Sequence, residues 1–172
     1  MKELERTFLA RALPDLDGAT SREMLDIYLP TSSDHPILRI RKQGDRHEMT
    51  KKAPIDDADR SVQLEQTIPL SVNEYAELST LPGKRVAKTR YYYTEGVHTY
   101  EIDVFREALS GLVLIDIEFD TVADKDAFVA PALCLAEVTQ EQFLAGGMLC
   151  GKSYADIEAR LAPFGYQKIV TH

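Results

Sequence analysis

The chain has 172 residues, 44 % of them hydrophobic, and a formal net charge of −8. That length suits one domain with a sizeable core, and the apolar fraction excludes a disordered chain. The acidic balance excludes a protein that coats nucleic acid or an anionic membrane surface, because both select positive charge.

Residues Lys2–Ala10 (KELERTFLA) put Glu3, Glu5 and Thr7 on one face of a predicted strand, and Leu4, Arg6 and Phe8 on the other. Met1 and Lys2 lead straight into this strand, so no secretory leader is expected. Arg11 to Arg22, with Pro14 and Asp17-Gly18, reads as a loop. Glu23–Leu29 is a second strand stopped by Pro30, and Thr31–Pro36 a turn. Ile37–Lys42 places Arg39 and Arg41 together, and Gly44-Asp45 marks a hairpin into Arg46–Lys52, where Glu48, Thr50 and Lys52 share a face. Ala53 to Arg60 reads as a polar loop. Ser61–Ile68 aligns Gln63, Glu65 and Thr67. Ser71–Thr80 reads as a helix with a capping box from Ser71 and Glu74. Three further strands follow: Lys84–Thr94 with Lys88 and Arg90, Thr99–Phe105 with Glu101 and Asp103, and Leu112–Phe119 with Asp116 and Glu118.

The last third reads as helical. Asp120 or Thr121 caps Val122–Val129, Thr139 caps a short helix from Gln140, and Ser153–Leu161 forms another. Tyr166–Val170 reads as a terminal strand or an extended tail. Cys134 and Cys150 are the only cysteines; without zinc-site spacing they read as buried thiols in a reducing cytoplasm. No apolar run approaches the ~20 residues that span a bilayer. His35, His47, His98 and His172 lack metal-ligand spacing and read as surface residues. Gly146-Gly147 follows no strand and lacks a Lys-Ser/Thr ending, so it is not a phosphate loop.

Eight strands therefore alternate charged with apolar, and their charged faces are segregated. One set is acidic: Glu3 and Glu5, Glu65, Glu101 and Asp103, Asp116 and Glu118. The other is basic: Arg39 and Arg41, Lys52, Lys88 and Arg90. A flat sheet would turn both sets to water. A closed barrel would aim them into one lumen, where the acids suit a hard divalent cation and the bases suit the anion it neutralises.

These motifs, in this order, resemble those of the CYTH-domain proteins, the triphosphate tunnel metalloenzyme superfamily. Glu3-Leu4-Glu5-Arg6-Thr7 is similar to the opening Glu-x-Glu-x-Lys motif. Tyr28-Leu29, Arg39-Ile40-Arg41, Thr50-Lys51-Lys52, Lys88-Thr89-Arg90-Tyr91 and Glu101-Ile102-Asp103-Val104-Phe105 resemble the motifs that follow. Gly111-Leu112, Asp116-Ile117-Glu118 and Glu137-Val138-Thr139 complete the series, which runs from Lys2 to Thr139.

The resemblance implies an α+β fold: an eight-stranded antiparallel closed β-barrel with helices packed on the outside. The 172 residues would form one such tunnel domain, with a helical segment over 140–172. It implies Mg²⁺ or Mn²⁺ held by Glu3, Glu5, Glu101, Asp103, Asp116 and Glu118, with Glu65 as a ligand or a supporting group. Arg39, Arg41, Lys52, Lys88 and Arg90 would bind phosphate; Glu101 or Asp103 would pair with a lumen arginine where it does not bind metal. Glu3, Glu5, Lys52 and Arg90 would carry catalysis. Lys84 and Arg85 lie either at the tunnel mouth or on plain surface, and Lys152 is a weaker phosphate candidate. The activity implied is hydrolysis of inorganic tripolyphosphate or a small organic triphosphate by a cytoplasmic enzyme, with no nucleic-acid or membrane partner and a homodimer as the expected assembly. Thr7 stands where the motif carries lysine, and Arg6 points to the opposite face. That departure keeps a non-catalytic triphosphate or polyphosphate binder as an alternative, beside a class IV-type adenylyl cyclase.

Overall fold

In the computed structural model, which describes residues 1–56 and 58–170, the alternating segments pair into one antiparallel sheet. Its strands are β1 (Lys2–Ala10), β2 (Thr20–Leu29), β3 (Leu38–Gln43), β4 (Arg46–Asp56), β5 (Asp59–Leu70), β6 (Lys84–Glu95), β7 (His98–Phe105), β8 (Val113–Phe119) and β9 (Cys134–Glu137). The spatial order is β5-β4-β3-β2-β6-β7-β8-β1, and β1 returns to β5. Eight strands thus close into the expected barrel.

The seam is divided along β1. Lys2, Glu3 and Leu4 pair with Leu64, Gln63 and Val62 of β5, while Phe8, Leu9 and Ala10 pair with β9. Strand β9 corrects the reading of the last third as wholly helical. Its four residues carry no alternation of their own and become a strand through β1, far away in sequence. Thr139 caps no helix: its hydroxyl accepts from the Thr7 amide at 3.1 Å, and only a short 3₁₀ turn follows at Gln142–Leu144. Ala53–Asp56 and Asp59-Arg60 are strand rather than loop, because β4 and β5 pair almost to the tip of their hairpin; Asp57 lies outside the described residues.

Among the described residues four short α-helices accompany the barrel: α1 (Val72–Leu78), α2 (Val122–Ala127), α3 (Gly146–Leu149) and α4 (Tyr154–Leu161). The capping box at α1 is complete, with the Ser71 amide donating to Glu74 at 2.7 Å and the Glu74 amide to Ser71 Oγ at 3.3 Å. Thr121 caps α2. Among the described residues no helix is long and apolar enough to cross a membrane. His172 lies outside the described residues.

Two apolar clusters hold the barrel. One lies on the outer face of β1, β7 and β8, where Leu4, Phe8, Ile102, Ile115 and Ile117 pack with Phe128 and Cys134. The other fills one end of the lumen. There Leu9, Tyr28, Val86, Phe105 and Leu114 meet Phe143, Leu149, Ile157 and Leu161 of the C-terminal segment. Helices α1 and α2 therefore lie against outer strands, while α3 and α4 pack at the barrel's end. Each fully buried side chain of this size contributes roughly 1.5–3 kcal/mol. Most of the remaining inward positions, away from that end, are charged.

Candidate active site

A cavity of about 270 Å³ runs inside the barrel, lined by Glu3, Glu5, Thr7, Asp26, Tyr28, Arg39, Arg41, Glu48, Lys52, Glu65, Lys88, Arg90, Asp103, Asp116 and Glu118, among others. Each comes from the inward face of its strand, so the period-two pattern delivers the charges to one space. Glu101 borders a neighbouring groove that shares Glu118 with this cavity. Lys84 donates to the Ser33 carbonyl at 2.9 Å, Arg85 is exposed, and neither they nor Lys152 line the cavity.

On β1 and β8, the carboxylates of Glu3, Glu5 and Glu118 converge with ligand oxygens all within 4.8 Å of one another. Lys52 Nζ sits 2.7 Å from Glu5 and 2.9 Å from Glu3. The second contact lies off the axis of a hydrogen bond, so the buried Glu3 Oε2 has no hydrogen-bond partner. Glu118 is raised above its ordinary value by partial burial and then by Glu101, Glu3 and Glu5. Burial likewise raises Glu5, but Lys52, Arg90 and Arg39 outweigh it and leave that carboxyl lowered. Asp116 is pushed up to about 7 by burial and then by Glu5 and Asp103. Thr7 Oγ1 donates to Asp116 Oδ1 at 2.8 Å, so the residue at the lysine position is tied into the acidic group. Arg6 lies outside as expected, bound to Glu137 at 2.6 Å.

This acidic group fits a hard divalent cation. It offers only oxygen donors, the ligand type Mg²⁺ and Mn²⁺ prefer, and among the described residues the buried Glu3 Oε2 accepts no hydrogen bond, Lys52 meeting it only as an ion pair. Glu101, Asp103 and Glu65 stand apart from it. Asp103 receives Arg90 Nε and Nη2, both at 2.7 Å, and also holds Lys88. Glu101 accepts from Arg90 Nη1, and Glu65 accepts from Thr67 at 2.7 Å and faces Arg39 at 3.9 Å. Burial alone would raise Asp103, but Arg90 and Lys88 bring it down to about 2. Burial opposes the charge on Arg90 as well, and Asp103, Glu101 and Asp116 reverse that effect. Lys88 ends below its ordinary value: burial lowers it, Asp103 opposes, and Arg90 and Arg41 add to the lowering.

Across the lumen, Arg41 Nε and Nη2 bind Asp26 at 2.6 and 2.7 Å, and both side chains are buried. Arg39 is less satisfied, since among the described residues its buried Nε has no hydrogen-bond partner. Asp26 and Glu48 were not among the expected site residues. The alternation of EMLDIYL already places Asp26 on the face of Tyr28, but it is a lone acid rather than one of the repeated doublets. His35 is not a plain surface residue: it lines the cavity and lies 3.0 Å from Gln142. His47 stacks on Tyr75 at 4.5 Å, and His98 packs on Phe128 at 5.1 Å.

A closed β-barrel with a segregated, charged interior defines the triphosphate tunnel metalloenzyme class, and comparison with known proteins agrees. The inorganic triphosphatase of Nitrosomonas europaea is 35 % identical over 147 residues, covering 83 % of this chain and 92 % of that protein. A crystal structure of an inorganic triphosphatase superposes with a TM-score of 0.64 at 31 % identity, covering 86 % of this chain and 93 % of that one. A putative adenylate cyclase from Bacillus halodurans shares the fold, with a TM-score of 0.54 at 14 % identity over 99 % of this chain and 95 % of that one. No family model matches the sequence. The chain belongs to the CYTH-domain superfamily, and within it lies beside the inorganic triphosphatases.

Proposed function

We propose that this protein hydrolyses a short inorganic triphosphate, tripolyphosphate, with the help of Mg²⁺ or Mn²⁺. The observation that carries the reading is one cavity inside the barrel in which three converging carboxylates, Glu3, Glu5 and Glu118, face the cations Arg39, Arg41, Lys88 and Arg90. The similarity to the Nitrosomonas europaea inorganic triphosphatase supports it.

In this reading Arg39 and Arg41 bind and orient the phosphate chain, and Arg90 and Lys88 meet the charge that grows on its terminal group. Glu3, Glu5 and Glu118, with Asp116 beside them, hold the divalent ion, which supplies charge neutralisation to phosphate oxygens when bound. Lys52, placed between the acids and the lumen, adds a cation to the same phosphates. Asp103, Glu101 and Glu65 keep the lumen cations in place. The C-terminal segment closes one end of the lumen. Water adds to the terminal phosphorus, the bridging P–O bond breaks, and phosphate and diphosphate leave with release of a proton near neutral pH. The two buried thiols, Cys134 and Cys150, favour a reducing compartment such as the cytoplasm.

The test is phosphate release from tripolyphosphate, ATP and thiamine triphosphate, each with Mg²⁺, Mn²⁺ or chelator. Release from tripolyphosphate that chelator abolishes is the expected result. Cyclic AMP made from ATP, or tight tripolyphosphate binding with no phosphate release, would overturn the hydrolase reading.

A further inference from the structure

Asp26 lies opposite Arg41 across the β2–β3 ladder, and Asp103 lies opposite Arg90 across β6–β7. The two pairs share one geometry. In each, the aspartate takes the Nε and Nη2 donors of its arginine, at 2.6 and 2.7 Å in the first and 2.7 Å twice in the second. Both aspartates are almost wholly buried, at 3 % and 1 % exposure. Both carboxyls are held below their ordinary range: burial would raise them, and the facing arginines outweigh it. Asp26 also feels Arg39 and Lys88, so it stands among three cations of the phosphate-binding wall.

From this geometry we infer that Asp26 is a positioning residue: it clamps one edge of the Arg41 guanidinium so that the remaining donors are presented to the phosphate chain. The inference rests on the tripolyphosphate reading of the cavity. An arginine has five N–H donors in a rigid planar fork, so fixing Nε and one Nη fixes the direction of the rest. Without the clamp, Arg41 would have to be ordered by the substrate itself, and binding would weaken although the lumen had become more positive. Simple electrostatics gives the opposite sign, since removing an anion from a polyanion site strengthens binding. That opposition makes the inference testable.

The experiment measures tripolyphosphate affinity by calorimetry with Mg²⁺ present, together with kcat, KM and Mn²⁺ affinity. Asp26→Asn is expected to raise Kd and KM about tenfold, the loss of one good charge-assisted hydrogen bond, with kcat changed less than about threefold. Mn²⁺ affinity should stay as in wild type, because Asp26 lies across the lumen from the acidic group. Arg41→Lys should weaken binding by a similar factor, and Asp26→Asn should add little in that background. Removing one partner leaves a buried guanidinium uncompensated, so thermal midpoints are measured first. Where Asp26→Asn does not fold, Asp26→Glu takes its place, with an expected rise in Kd of about threefold from the displaced carboxylate. Unchanged or tighter binding in the folded variant would overturn the inference, as would Mn²⁺ affinity falling in step. Wild-type protein that binds tripolyphosphate without cleaving it would remove the hydrolase reading and leave this one standing on Kd. Wild-type protein that binds none would remove both.

Discussion

On the β2–β3 wall of the cavity, Arg41 and Asp26 satisfy each other at 2.6 and 2.7 Å, and neither is exposed. On the β1–β8 wall, Glu3, Glu5 and Glu118 crowd together around the single ammonium of Lys52, 2.9 Å from Glu3, and Asp116 and Glu118 are held above their ordinary values. Both walls come from the same strand pattern, yet Arg41 on the first is paired within the protein, whereas on the second several carboxylates crowd round one lysine. The paired Arg41 is ordered before substrate arrives. An unbalanced acidic wall is stabilised by a cation supplied from solution.

The largest effect expected from breaking this contrast is on the acidic wall. Glu5→Gln or Glu118→Gln should lower metal-dependent phosphate release about 100-fold or more and shift the Mn²⁺ titration to higher concentration. Phosphate-release assays over a Mn²⁺ series check this, and activity equal to wild type would place the metal elsewhere. Next comes Arg39, the least satisfied cation of the opposite wall. Arg39→Ala should raise KM for tripolyphosphate about 10–100-fold, the worth of hydrogen bonds to a charged partner.

A smaller effect sharpens the balanced side through pH. Asp103 has its carboxyl at about 2 when folded against an ordinary value near 3.8, so the folded state binds fewer protons there than the unfolded chain. Its contribution to stability is therefore complete above about pH 4 and lost as pH falls toward 2, in all about 2 kcal/mol. Asp26 is shifted in the same direction and adds to the same acid loss. Thermal midpoints from pH 5 to pH 2 should fall steeply in wild type and less steeply in Asp103→Asn. The smallest effect lies at Thr7. Thr7→Lys places a cation beside Asp116 and should raise kcat about threefold, by analogy with one added charge-assisted contact. No gain in steady-state kinetics would show that the lysine of the opening motif has no role in this lumen.

The barrel was legible because its code is local. Alternation in KELERTFLA, ILRIRK, TYEIDVF and LVLIDIEF assigns faces residue by residue, and Gly44-Asp45 supplies a hairpin turn. The capping box at Ser71 and Glu74 is equally local. Strand β9 was not legible, because Cys134–Glu137 becomes a strand only by pairing with β1. The same limit explains the site. Period-two spacing places Glu101 and Asp103 on the lumen face, but cross-strand register sets Asp103 against Arg90 and away from Glu3. Asp26 is in plain view in the second strand, yet its meaning depends on the register that brings it opposite Arg41.

Strand β1 divides its edges among β5, β8 and β9, whose partner residues lie between Val62 and Glu137. During synthesis β1 thus waits for almost the whole barrel. At roughly 5–20 residues per second, the interval before Glu137 appears is on the order of ten seconds. Through that time Glu3, Glu5 and Arg6 make the nascent strand too charged to aggregate readily through its open edges. The carboxylates at its start would serve the chain twice: first as a guard on an unfinished edge, then as the lining of the finished lumen.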